Sequence, residues 1–130
     1  MIRRAVVFVL AVLLLTACGM FRTEITPDKL IGDTLIATFE SGAFPDSSIT
    51  MQFVSSKDLV WKLSGNLGDA TGSADYLISL VTPDTVVVTW RSEERGVSYV
   101  VTMDFDTKRS FLVLVGKGKN LFSEGVVAFE

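Results

Sequence analysis

Alternating apolar and polar residues fill the chain from residue 33 onward, and short turn clusters interrupt the alternation. An apolar side chain at every second position is typical of a β-strand with one buried face. Within 97–106, every odd position is apolar and every even position except Val100 is polar. The pattern predicts eight strands, at 33–40, 47–55, 59–64, 74–81, 85–93, 97–106, 110–116 and 121–129.

The connections between the predicted strands favour an up-and-down arrangement. Most are as short as hairpin turns and rich in Gly, Pro, Asp and Ser, and one, at 65–73, is longer. Short hairpins place sequence neighbours side by side, and eight antiparallel strands in this order close into a barrel without exposed edges. We therefore predict an all-β fold, an eight-stranded antiparallel up-and-down β-barrel, with a two-sheet sandwich as the competing architecture. Thr26, Pro27 and Gly32 predict one short helical turn before the first strand.

The alternation also predicts which side chains face the barrel interior. None of the inward positions read from it is charged, and the strand at 111–115 is apolar on both faces, which leaves its orientation open. A barrel of this size is either filled by its own side chains or holds one small ligand, and both interpretations stay open. If the barrel holds a ligand, Tyr76, Ser92 and Tyr99 supply polar contacts to an apolar or aromatic molecule. The candidate ligand-binding residues are Met51, Phe53, Trp61, Tyr76, Trp90, Ser92, Tyr99 and Met103.

Composition narrows the possible chemistry. The chain has no histidine and one cysteine, so it cannot form a Ser/His/Asp triad, a Cys/His zinc site or an internal disulfide. An interior without charged groups offers no general acid or base, and we expect no catalytic residues, cofactor or metal. The net charge of −3 argues against a nucleic-acid partner, because proteins that bind nucleic acids usually carry a basic face.

The N-terminus has the pattern of an export signal. A basic segment at 1–4 precedes eleven consecutive apolar residues at 5–15, too few for a membrane-spanning helix, which needs ~20. The following Thr16-Ala17-Cys18-Gly19 resembles the lipobox of bacterial lipoproteins; an ordinary secretory signal is the alternative. The resemblance implies a cleaved signal peptide at 1–17, lipid on Cys18, a tether at 18–25 and the barrel domain at 26–130.

The resemblance to lipoproteins also implies a location. Gly19 occupies the position where Asp tends to retain such proteins in the inner membrane, so we expect an anchor in the outer membrane, facing the periplasm, in an organism with two membranes. Cleavage would remove Arg3 and Arg4, which changes the net charge from −3 to −5. The membrane is then a partner through the lipidated Cys18.

The stretch from residue 59 to 105 resembles the MoaF-like branch of the calycin, or lipocalin-like, barrels. This resemblance depends on Leu59-Val60-Trp61, a strand containing Tyr76, the Pro83-Asp84 turn and a strand that ends near Trp90. It implies the same eight-stranded barrel. The layout is also similar to that of the phenolic acid decarboxylases, enzymes on this barrel.

The residues that a decarboxylase would require are not matched. Ala37 and Phe39 stand where that family is expected to have two tyrosines, and Ser92 stands where a glutamate is expected. We therefore expect a lipid-anchored module of the cell envelope that binds a small apolar or aromatic ligand. A divergent decarboxylase is one alternative. The other is a protein-interaction module such as a lysozyme inhibitor, because 72–76 resembles the Ser-Gly-x-x-Tyr loop of such inhibitors; those proteins usually carry a disulfide, which this chain cannot form.

Overall fold

The computed structural model describes residues 27–130, which form one short helix and eight strands. No helix in this part of the chain is both long and apolar enough to cross a membrane. The predicted helical turn and all eight predicted strands are present. The elements are α1 (Pro27–Leu30), β1 (Thr34–Gly42), β2 (Ser47–Phe53), β3 (Asp58–Gly65), β4 (Ala70–Thr82), β5 (Thr85–Ser92), β6 (Val97–Asp104), β7 (Arg109–Gly116) and β8 (Lys119–Phe129).

The strands form a closed antiparallel barrel in sequence order. Each strand pairs with its neighbour in the chain, and β1 closes the sheet by pairing with β8, with Ala37 opposite Val127. The predicted up-and-down barrel is therefore confirmed, and the two-sheet sandwich is excluded. Closure leaves no strand edge free for pairing with another chain.

The long connection predicted at 65–73 is the main error in the strand boundaries. The turn occupies only residues 66–69, and β4 begins at Ala70. The first half of β4 pairs with β3, where Gly72 lies opposite Trp61, and the second half pairs with β5 from Tyr76 onward. Thr71, Gly72 and Ser73 have the composition of a turn, but pairing with β3 holds them in the sheet.

Successive connections lie at opposite ends of an up-and-down barrel. The turns β2–β3, β4–β5 and β6–β7 lie at the end that also carries α1, which we call the helix end. The other four turns lie at the far end. Buried side chains close both ends: Leu30 of α1 at the helix end, and Leu67 of the β3–β4 turn at the far end.

The inner faces of the strands form one continuous apolar core. The orientation of β7, which the sequence left open, follows from its pairing with β6. Leu112 lies opposite the buried Val101, so Ser110 and Leu112 point inward while Phe111 and Val115 are exposed. Packing in the barrel core therefore does not explain why the outward side chains at 111, 113 and 115 of β7 are apolar.

Candidate functional site

All eight residues predicted to face the barrel interior are buried there, with at most 6% of their surface exposed. All of them except Ser92 belong to a single cluster with the other inward apolar side chains. Of the two interpretations left open by the sequence, the filled interior describes most of the barrel. Any ligand site is therefore a feature at the margin of this core. Cys18, the predicted lipid attachment site, lies outside the described residues.

Trp61, Trp90 and Tyr99 form a group of neighbouring rings that we call the aromatic cluster, in which Trp90 and Tyr99 are stacked and Trp61 and Tyr99 are tilted by 33°. The ring centroids of Trp90 and Tyr99 are 5.1 Å apart with an interplanar angle of 15°, and those of Trp61 and Tyr99 are 6.1 Å apart. Register places Trp90 beside Tyr99 on adjacent strands. Gly72 admits the Trp61 ring beneath β4, because a Cβ atom at residue 72 would lie 2.5 Å from Trp61 Cζ2.

Tyr76 has a separate environment. Its ring meets Phe53 edge-on at 5.3 Å, and its hydroxyl donates a hydrogen bond of 2.7 Å to the backbone oxygen of Ser55. Burial raises the pKa of Tyr76 above its ordinary value, and the nearby carboxylates of Asp28 and Asp58 raise it further. Tyr76 is therefore a neutral phenol engaged in closing the β2–β3 turn.

The buried serines are also engaged by backbone groups. Ser92 Oγ accepts a hydrogen bond of 3.3 Å from the Arg95 amide within the β5–β6 turn, so the hydroxyl predicted to contact a ligand has a local role. Ser110 donates to the Val126 oxygen, Ser47 donates to the Phe44 oxygen, and Ser123 accepts from the Phe44 amide.

The two tryptophans are the exception. Among the described residues, the indole Nε1 atoms of Trp61 and Trp90 are the buried side-chain nitrogen or oxygen atoms that have no hydrogen-bond partner. A buried donor left without a partner costs about 1–3 kcal/mol. Two such donors within one stacked cluster therefore mark a place where an acceptor from another molecule would be stabilising.

An opening in the barrel wall reaches this cluster. β4 and β5 begin to pair only at Tyr76 and Trp90, so the segment 71–75 of β4 separates from the β5–β6 turn. The opening, which we call the wall cleft, has a volume of about 470 Å³, and its lining includes Trp61 and Ser92. The exposed ion pair between Arg91 and Glu93, with Nε and Oε1 3.2 Å apart, lies at its rim.

Sequence reasoning missed the contribution of Arg95. The turn residues Glu93 and Glu94 are exposed, as a solvated hairpin tip would be, but the Arg95 guanidinium folds back over the far end. Its Nη1 atom donates to the Leu67 oxygen at 3.3 Å and lies 3.5 Å from the Tyr99 hydroxyl. No pattern in the sequence marks this contact, because it joins two turns that are far apart in the chain.

A second opening lies at the helix end. This end cleft has a volume of about 570 Å³ and is lined mainly by apolar side chains, among them the stacked pair Phe105 and Phe129. Lys29, Asp33, Asp84 and Lys108 also line it, but among the described residues no buried polar atom without a partner does so. Within residues 27–130 there is also no group of three or more Cys, Asp or Glu residues placed to hold a metal ion.

The two β1 positions where decarboxylases are expected to have tyrosines are apolar. Ala37 and Phe39 are both buried on β1 with no hydroxyl to offer. The segment 72–76, whose sequence resembles a loop of lysozyme inhibitors, lies within strand β4.

Comparison with known proteins supports the fold. The chain is similar to a crystal structure described as a "putative beta-lactamase" from Burkholderia vietnamiensis, with a TM-score of 0.65 and 16% sequence identity. The alignment covers 78% of this chain and 95% of that one. At this identity the likeness concerns the fold alone. No curated protein matches the chain.

A family model gives the more specific result. The model of the MoaF N-terminal domain matches residues 19–119, which include strands β1 to β7 and the first residue of β8. The match covers most of the chain and contains the Trp61, Tyr76 and Trp90 strands on which the sequence resemblance depended. The protein therefore belongs to the family of the MoaF N-terminal domain.

Proposed function

We propose that the barrel binds a small planar aromatic molecule that carries a hydrogen-bond acceptor, and that this molecule enters through the wall cleft. The observation that carries the proposal is the pair of buried, unpartnered indole N–H groups of Trp61 and Trp90 in the aromatic cluster, of which Trp61 lines that cleft. The buried serines and Tyr76 already have partners, so these two donors are the polar groups that a ligand would satisfy.

The shape and chemistry of the cluster favour this ligand class. Flat aromatic faces bind other flat rings by stacking, and Trp90 and Tyr99 already stack on each other with Trp61 next to Tyr99. A volume of about 470 Å³ is within the range of small-molecule sites. The end cleft is larger, but neither of the two buried indole donors that lack a partner among the described residues lines it, so we place the site at the wall cleft.

Binding fits the aromatic cluster better than catalysis. The cluster presents two indole donors and a phenol and contains no histidine or carboxylate, the side chains that most often act as general bases. The name of the Burkholderia protein does not transfer, because this sequence has no Ser-x-x-Lys motif for a serine β-lactamase and no histidine for a zinc enzyme.

The location of the protein is also part of the proposal. Lipid on Cys18 would hold the barrel at a membrane surface, because Pro27 begins α1 only nine residues further along the chain. Nine extended residues reach at most ~30 Å, so the helix end would face the membrane. The wall cleft, on the side of the barrel, would stay accessible from the periplasm.

Native mass spectrometry of protein purified from its own envelope tests the proposed ligand. We expect a fraction of the protein to carry an aromatic compound of small mass. A Ser73→Phe variant, which places a ring in the wall cleft, should lose that compound. Ser79→Phe is the matched control, since both serines are exposed on the same strand and only Ser73 lines the cleft. Equal retention by both variants would contradict the proposed route.

A further inference from the structure

Strand β7 is apolar on both faces, and the barrel core accounts for only one of them. Its outward apolar side chains are Phe111, Val113 and Val115; Phe111 and Val115 are exposed and Val113 is half-buried. On β8 next to them, Phe122 is 62% exposed. Exposed apolar side chains that lie next to one another mark an interaction surface more often than scattered ones do.

The pairing register arranges this surface in three rows across β6, β7 and β8. The middle row contains Val100, Val113 and Phe122 and is entirely apolar. The rows on either side each have an apolar residue at the centre and polar residues at the ends. They are Ser98, Val115 and Asn120 towards the far end, and Thr102, Phe111 and Glu124 towards the helix end.

We propose that this surface, the β6–β8 face, binds a second copy of the same chain through a two-fold axis parallel to β7. Such an axis sets each row of one copy against the same row of the other, and β6 of one copy against β8 of the other. Val100 then meets Phe122, a small apolar residue against a large one. Each apolar side chain of β7 meets its own copy.

The polar ends of the rows are complementary under the same operation. Ser98 meets Asn120, and Thr102 meets Glu124, so hydroxyl donors face an amide and a carboxylate. The only charge among the nine positions is Glu124, and the axis sets it against a hydroxyl and away from its own copy. An acidic chain that pairs with itself needs such a neutral face, because repulsion between like charges opposes association.

The size of the face indicates the strength of the contact. Three strands about 4.8 Å apart and three rows about 6.7 Å apart cover roughly 300 Å² on each copy. This is less than the ~800 Å² per partner of a stable complex, so the dimer should be weak and transient in solution. A shared membrane anchor would raise the effective concentration of the two copies. The inference does not depend on the proposed ligand.

Disulfide trapping tests the inference directly. Residues 27–130 contain the complete closed barrel and its core, so the 19–130 chain, which has no cysteine, is a suitable background. In that chain Val113→Cys places a thiol on the proposed axis. Val60→Cys is the matched control: Val60 also points outward from the middle of a strand, and β3 lies four strands away, on the opposite side of the barrel.

We expect Val113→Cys to form a covalent dimer at least tenfold faster than Val60→Cys under mild oxidation. In sedimentation experiments, the unsubstituted 19–130 chain should dimerise reversibly at hundreds of micromolar, Val113→Lys should remain monomeric, and Val60→Lys should behave as the unsubstituted chain. Equal trapping rates at positions 113 and 60 would overturn the inference. So would cross-linking of position 113 in envelopes to a protein of different mass, because another partner would then cover this face.

Discussion

Replacement of Gly72 by alanine probes how tightly β4 lies over the aromatic cluster. The φ angle of Gly72 is not in the left-handed region, so the backbone accepts alanine without strain. The new Cβ atom, however, would lie 2.5 Å from Trp61 Cζ2 and 2.9 Å from Cε2. These distances are well inside van der Waals contact, and Trp61, only 6% exposed, packs against Tyr99, so a shift of its ring would disturb the aromatic cluster.

Overpacking of this kind costs about 1–3 kcal/mol of the free energy of unfolding. For a domain of this size, a loss of 1 kcal/mol lowers the melting temperature by roughly 4–8 °C. We therefore expect Gly72→Ala to lower it by about 5–20 °C. Urea unfolding followed by far-ultraviolet circular dichroism measures the free energy without depending on tryptophan fluorescence, which the substitution itself would alter.

A double-mutant cycle identifies the cause of the loss. Trp61→Phe removes the benzo ring, which contains all three atoms nearest to the new Cβ, so Gly72→Ala should cost at least ~0.5 kcal/mol less in that background. Gly116→Ala is the control, since its Cβ would meet one methyl group of Val97 at 3.1 Å and its φ is also outside the left-handed region. An equal cost of Gly72→Ala in both backgrounds would refute the steric explanation.

Three further predictions follow from the described contacts and from the proposed anchor. Tyr76→Phe should cost about 1 kcal/mol at neutral pH, because the hydrogen bond to Ser55 is lost. The raised pKa of Tyr76 means that the folded state holds the phenolic proton more tightly than the unfolded state. The wild type should therefore lose stability as the pH rises above about 10, and Tyr76→Phe should lose less. Urea midpoints of the two proteins that change equally from about pH 9 to 11 would contradict this. Leu67→Ala should lower the free energy of unfolding by about 2 kcal/mol because Leu67 is buried at the far end. Arg95→Met should lower it by less than ~1 kcal/mol because Arg95 is exposed. A larger loss for Arg95→Met than for Leu67→Ala in thermal unfolding would show that Arg95 closes that end. Cys18→Ser should move the protein from the detergent-extracted to the soluble or uncleaved fraction, and unchanged fractionation would contradict lipid attachment at that residue.

The barrel could be predicted from the sequence because one face of nearly every strand is buried. The alternation of Leu59, Trp61 and Leu63 with Lys62 and Ser64 sets the inward face of β3, and short turns then determine the strand order. Alternation gave no orientation for β7, because residues 111–115 are all apolar and either set of alternate positions could face the core. Its orientation comes from pairing with β6, which is information that no single strand contains.

The inward residues of the candidate site could be predicted from the sequence, but its unpartnered donors and its cleft could not. Alternation placed Trp61, Trp90 and Tyr99 inside, but it could not show that the two indole nitrogens lack partners. The wall cleft arises where β4 leaves β3 and joins β5, a consequence of strand stagger that depends on the whole barrel. The Arg95 contact with Leu67 is equally invisible, because two turns distant in sequence meet only after the barrel closes.

The most direct test of the proposed site is a two-dimensional ¹H–¹⁵N spectrum of the indole groups. The protein has only two tryptophans, so two side-chain signals report on the two unpartnered donors. We predict that 4-hydroxycinnamate, a planar aromatic acid, shifts both signals in a saturable manner, and that Ser73→Phe but not Ser79→Phe abolishes the shift. Indole signals that stay unchanged while other residues report saturating binding would show that the ligand binds elsewhere, and would contradict the account.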